Sequence, residues 1–226
     1  MSAREEILGR VRRAARAVPG RSGESNSVPP PATTTWEQRV ARFTSRARAA
    51  SATVARVAVA GDVAAAVADY LDALHLPQVV HLSAQPAGHV PGAAGRLRCD
   101  SGPLRPDGDT LVSGCFAAVA DEGVIVMASG PRHLSESAFL AATHVVVVPS
   151  EQMLDSLEAL WARLREADIP PRMINLILGP SRTADLGVPS RLGAHGPLRV
   201  HVLLVDEPLR NGKSRENAED PSWTRA

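Results

Sequence analysis

The chain has 226 residues, 44% hydrophobic and 22% charged, a composition that excludes wholesale disorder and collagen-like structure. Lys and Arg total 25 against 24 Asp and Glu, a formal net charge of +1, so no chain-wide basic footprint for nucleic acid exists. Three Trp, one Tyr and three Phe are too few for the stacking platforms of single-strand binders.

The N-terminal segment reads as an amphipathic helix over residues 1–18. Ser2 and Glu5 fit a capping box, and Ile7, Leu8, Val11, Ala14, Ala15 and Val18 recur at helical spacing before Pro19-Gly20. Arg10, Arg12, Arg13 and Arg16 cover much of the remaining surface, as a solvated face or as a surface for a partner. The segment has no uninterrupted apolar stretch of the secretory kind, and acidic Glu5 and Glu6 argue against a mitochondrial presequence. No run approaches the ~18 apolar residues of a bilayer span. The expected location is the cytoplasm.

Residues 19–33, with Pro29-Pro30-Pro31, read as a Pro/Ser-rich linker. A second helix is expected over 35–50, opened by Thr35 and Gln38 as a capping box. Its seam of Trp36, Val40, Phe43, Ala47 and Ala50 suits docking onto the main domain or onto a copy of the chain. From residue 54 strands and helices alternate. Strands are assigned to Val54–Ala60, Gln78–Leu82, Arg96–Cys99, Gly123–Ala128, His144–Val148, Asn175–Leu178 and Leu198–Val205. Helices are assigned to Asp62–Leu74, Gly114–Ala120 and Glu151–Arg165, and a Gly/Pro loop to 83–95. Apolar runs separated by helices imply an α/β fold, a mostly parallel sheet with strands buried on both faces. The α/β domain covers 34–207, followed by a polar tail over 208–226 read as disordered.

Two thiols, Cys99 and Cys115, cannot complete a tetrahedral zinc site or hold an iron–sulfur cluster. They read as ordinary, partly buried thiols, and the chain is expected to carry no cofactor of its own. Lys213 is the only lysine and lies in the tail, which removes a Schiff-base or P-loop lysine.

Two loops carry groups suited to chemistry. Gly179-Pro180-Ser181-Arg182-Thr183-Ala184-Asp185 follows a strand, and open α/β sheets bind ligands beyond the carboxyl ends of strands. Gly179 allows close backbone approach. Arg182 can hold a carboxylate or phosphate in bidentate fashion, with Ser181 and Thr183 as further donors. Asp185 can position Arg182 or bind a hydroxyl; a self-satisfied turn accounts for the same residues. The second loop is Gly193-Ala194-His195-Gly196-Pro197, leading to Arg199 and His201 on one strand face. Gly193 and Gly196 leave room beside His195, a candidate general acid or base. No tight spacing among His195, His201 and Asp185 supports a metal. Weaker candidates are Glu122, in Asp121-Glu122-Gly123 at a strand entrance, and the turn Gly130-Pro131-Arg132-His133.

With Ser2-Ala3-Arg4-Glu5-Glu6-Ile7-Leu8, Ala120-Asp121-Glu122-Gly123, the 179–185 loop, and Gly193-Ala194-His195-Gly196-Pro197 leading into His201-Val202-Leu203-Leu204-Val205-Asp206, the chain resembles the lactate utilization protein C family (LutC/YkgG, the LUD domain). The resemblance covers most of the chain and is strongest from 120 to 207. It implies a fold like the NagB/RpiA/CoA-transferase group, with helices on both faces of the sheet. It implies an accessory subunit in oxidation of L-lactate to pyruvate, beside two partner proteins that carry the iron–sulfur clusters. Here Ser181, Arg182 and Thr183 would hold a small carboxylate and His195 would assist proton transfer. The chain departs from the family pattern at Gly187, Pro189 and Arg191 and over 130–136. Two alternatives stand beside this reading. One is an independent enzyme of the same fold group acting on a CoA ester, sugar phosphate or folate through Glu122. The other is a non-catalytic scaffold or regulator, with the N-terminal helices joining partners or a homodimer.

Overall fold

The computed structural model describes residues 4–10, 34–83, 95–105, 108–129, 137–166, 171–183, 191–192 and 196–208. Residues 4–10 form a helix (α1); Arg10 pairs with Glu6 one turn back on its exposed surface. The rest of the predicted 1–18 helix, the whole 19–33 linker and residues 209–226 of the tail lie outside the described residues.

The chain then builds two sheets. The larger holds β1 (Thr53–Val57), β2 (Val79–Leu82), β3 (Arg98–Cys99), β4 (Thr110–Ser113), β7 (Thr143–Pro149) and β12 (Arg199–Val205), in the order β1-β12-β7-β4-β2-β3. Every pair in it is parallel. The smaller holds β5 (Ala117–Val119), β6 (Val124–Ala128), β8 (Met153–Leu154) and β9 (Ile174–Ile177), in the order β8-β5-β6-β9. It is mixed: β6 runs antiparallel to both β5 and β9.

Side-chain alternation sorts the core into layers. On β12, Leu203 and Val205 pack with Val63, Val67 and Leu71 of α3 (Val63–Ala73). Val200, Val202 and Leu204 face the other way, onto Ala118, Ile125 and Met127 of the small sheet and Phe43 of α2 (Trp36–Ala49). The far face of the small sheet, Ala117, Val119, Val124 and Val126, packs on Leu160 and Leu164 of α5 (Leu157–Arg165). The layers are therefore helix, parallel sheet, small sheet with α2, helix. Central strands caught between two layers need apolar residues at every position, which explains the fully buried run Val145–Val148.

Helix α2 docks on its own chain. Thr35 Oγ1 accepts from the Gln38 amide at 3.3 Å, and Gln38 Oε1 accepts from the Thr35 amide at 3.0 Å, completing the capping box. Phe43 and Ala47 of the predicted seam are buried, with Trp36 and Val40 packed beside them. Burying one such large side chain contributes about 1.5–3 kcal/mol. Polar contacts fix the register. Arg42 donates to Asp121 at 2.6 Å and to Asp155 at 2.7 Å, and Trp36 Nε1 donates to Asp206 at 3.1 Å. Gly123, at φ +70°, lets the β5–β6 turn pass under the helix: a Cβ there would stand 2.8 Å from the Ala47 amide nitrogen.

Three expectations need correction. Gly114–Ala120 is not helical, because Ala117–Val119 pair with β6 and β8 as strand β5. Small residues of good helix propensity are overridden where two sheets close on them. Only Leu157–Arg165 of the predicted 151–165 helix is helical; Ser150–Gln152 form a 3-10 turn and Met153–Leu154 join the small sheet. The first strand stops at Val57, and Ala60–Asp62 form a 3-10 turn into α3. Strand β4 was not expected at all. Both cysteines are free; Cys99 is exposed and Cys115 buried, with burial pushing the Cys115 thiol up to about 12. Among the described residues no helix is long and apolar enough to cross a membrane.

Candidate functional site

The Gly179–Arg182 segment leaves β9, the edge of the small sheet. Its position differs from the crevice expected beyond the carboxyl ends of a parallel sheet. It lies beside Ala50, Gly196 and Pro197, which precede β1 and β12, and so sits at the amino ends of the parallel strands. Gly179 is pressed against the end of α2, where a Cβ would overlap the Ala50 carbonyl oxygen. The Ser181 amide donates to the Pro197 carbonyl at 2.9 Å, which ties the two sequence-predicted loops together. Gly196 faces Ser181 at close range: a Cβ there would stand 3.1 Å from Ser181 Cβ. Beyond Ser181, Arg182 and Thr183 form β10, paired antiparallel with β11 (Arg191–Leu192).

These residues line an open pocket of about 360 Å³. Among the described residues its polar side chains are Ser181 and Arg182; Phe139, Leu176, Leu178, Pro180 and Pro197 form much of the rest. Arg182 is exposed. One of its N–H groups donates to Ser51 Oγ, and it makes no ion pair with a described carboxylate. The Ser51 contact has a local cause. Helix α2 ends in a Schellman motif, with Ala52 N donating to the Ala47 carbonyl and Ser51 N to the Arg48 carbonyl. The motif puts Ser51 at φ 71°, a left-handed position that glycine usually fills. Serine there brings a hydroxyl to the arginine.

Of the residues singled out from the sequence, Gly179, Ser181, Arg182 and Gly196 line one pocket. Thr183 is in β10, its side chain undescribed. Asp185, Gly193 and His195, like Gly187, Pro189 and the 130–136 turn, lie outside the described residues. Arg199 opens β12, half-buried. His201 is not in the pocket. Its ring stacks on Tyr70 of α3, centroids 3.8 Å apart and 12° from parallel, and its Nδ1 lies 2.7 Å from Thr53 Oγ1. Burial pushes the imidazole down to about 4. Glu122 sits in the β5–β6 turn beside Arg46, outside the pocket lining. Burial, then the neighbouring Asp121, raise its carboxyl above the ordinary range, and its Oε2 is buried without a hydrogen bond.

Sequence reasoning missed the apolar wall and one further pair. Leu176 and Leu178 read as core but are 43% and 49% exposed, and nothing local marks an edge strand's open face. Ser113 Oγ donates to the Gly114 carbonyl and lies 2.7 Å from Nε2 of the fully buried His144. The hydroxyl hydrogen being engaged, Nε2–H donates and Nδ1 is left a bare, unpartnered acceptor. Burial holds this imidazole near 4.

Comparison with known proteins bears on the same region. The LUD domain model matches residues 71–205. Lactate utilization protein C of Macrococcus caseolyticus is 27% identical over 93 residues, 39% of this chain and 40% of that protein. Lactate utilization protein C of an Exiguobacterium species is 30% identical over 95 residues, 40% of this chain and 41% of that protein. The chain thus matches about two fifths of the length of these relatives. The crystal structure of a DUF162 family protein from Deinococcus radiodurans superposes with a TM-score of 0.56 at 19% identity, covering 77% of this chain and 100% of the other. The chain belongs to the LUD domain family.

Proposed function

We propose that this LUD-domain chain is the carboxylate-binding accessory subunit of a lactate utilization system. The observation that carries the reading is the pocket at Gly179–Arg182. A guanidinium with no described carboxylate partner and a serine hydroxyl meet over an apolar wall. Charge-assisted hydrogen bonds from arginine to a carboxylate are among the stronger polar contacts, and the spare N–H groups of Arg182 supply them. The names of the similar proteins favour lactate utilization as the setting.

In this reading Arg182, Ser181 and the Thr183 hydroxyl hold the carboxylate. Oxidation of L-lactate to pyruvate releases two electrons and two protons. Iron–sulfur clusters on two partner proteins would accept the electrons, since the two cysteines here are too few to hold a cluster. His195 would receive one proton, and the other would pass to solvent. The system operates in the cytoplasm.

The test is reconstitution. The two partner proteins are purified with and without this chain, and L-lactate-dependent dye reduction is measured. Activity is expected to need the chain and to fall at least tenfold with Arg182→Gln. Equal activity without the chain overturns the reading.

A further inference from the structure

Among its described lining residues the pocket carries more apolar surface than a lactate site requires. Lactate is a three-carbon acid whose hydroxyl and carboxylate dominate its surface. A volume of about 360 Å³ falls within the roughly 300–1,000 Å³ range of pockets for drug-sized ligands. Its described polar side chains, Ser181 and Arg182, follow β9 closely in sequence. Phe139, Leu176 and Leu178 line the same pocket as apolar groups, 40%, 43% and 49% exposed. Large apolar side chains clustered at one concavity mark a surface that ligand covers. Lactate in the grip of Arg182 would leave that wall wet and bury its own hydroxyl beside it.

We propose that the pocket selects carboxylates with an aliphatic tail longer than lactate's methyl group, the carboxylate on Arg182 and Ser181 and the tail along Phe139, Leu176 and Leu178. This rests on the carboxylate-binding part of the reading above and replaces L-lactate, as the acid held in this pocket, by a longer one. The head group gives a similar contribution to every acid in a series. The wall adds an increment with each methylene, up to about fourfold in affinity where burial is complete.

The full chain is titrated with sodium acetate, butanoate, hexanoate and L-lactate at constant ionic strength, and with hexanamide, following backbone amide shifts. Affinity is expected to rise two- to fourfold per methylene from acetate to hexanoate, with L-lactate weaker than butanoate. Hexanamide should bind at least tenfold more weakly than hexanoate. Leu176→Ser should flatten the series. Equal affinity across the series overturns the tail inference and leaves carboxylate binding standing. Binding of no acid, acetate included, overturns both. Equal binding of hexanamide and hexanoate overturns the role of the charge. The ligand comparisons use the unaltered protein, so a misfolded variant does not blunt them.

Discussion

Two polar clusters lie near the amino ends of β1 and β12, on opposite sides of the parallel sheet, and they differ in what their groups have left to offer. Around His201 everything is spent. The imidazole is stacked on Tyr70, held by Thr53, and pushed by burial down to about 4. Around Arg182 the guanidinium is exposed, shares one N–H with Ser51, and borders a pocket. As bare residues both are polar groups on or beside a strand. What separates them is the layer above: α3 closes over His201, whereas the described residues leave the end of β9 open. The first cluster holds the fold together, and the second is available to a ligand.

The largest effect is expected at the closed cluster. His201→Ala removes a buried ring from its stack and should cost about 3 kcal/mol of stability, read by urea denaturation, with hexanoate affinity unchanged. A loss of affinity with no loss of stability would reverse the two roles.

Acid should also act on the closed side. His201 and His144 each titrate near 4 in the fold against 6.5 in the free side chain. The unfolded chain therefore binds protons first as pH falls. Their contribution is complete above about pH 7 and is lost between 6.5 and 4, by up to about 1.4 kcal/mol per pH unit for each histidine. Denaturation midpoints across that window should show the fall, and His201→Ala should halve its slope. Hexanoate binding should stay level above about pH 5.5, because a guanidinium–carboxylate contact carries no proton switch there.

On the open side, Arg182→Gln should weaken hexanoate binding by about 2 kcal/mol, the worth of a charge-assisted hydrogen bond, and leave the denaturation midpoint where it was. Calorimetric titration checks the first and urea denaturation the second. Ser51→Gly sharpens the contrast with the smallest effect. It relieves a left-handed serine, raising stability by about 1 kcal/mol, while freeing Arg182 from its support and lowering hexanoate affinity severalfold. A gain in both would remove Ser51 from the site.

Local signals carried much of this architecture. The capping box of Thr35 and Gln38, the Val145–Val148 run and the two α/β loops could all be read directly, because each depends on neighbours in sequence. The second sheet could not. Strand β5 is three small residues whose state is decided by β6 and β8, and Met153–Leu154 interrupt an otherwise helical pattern for the same reason. Gly179, Ser181, Arg182 and Gly196 were legible as a candidate site, since glycine, hydroxyl and guanidinium in sequence announce a turn with donors. The apolar wall was not, because Leu176 on an open edge has the same local sequence as a core leucine. Ser51 was hidden too: its value comes from a helix end meeting a loop that lies far away in sequence.

The proposed carboxylate ligand meets the Arg182 side and not the His201 side. Titration of the isotopically labelled full chain with sodium hexanoate, followed by backbone amide shifts, tests it most directly. The amides of Ser181, Arg182 and Gly196 should move together and saturate, with those of Thr53, Tyr70 and His201 still. Movement centred on Thr53 and His201, or none at either cluster, would contradict it.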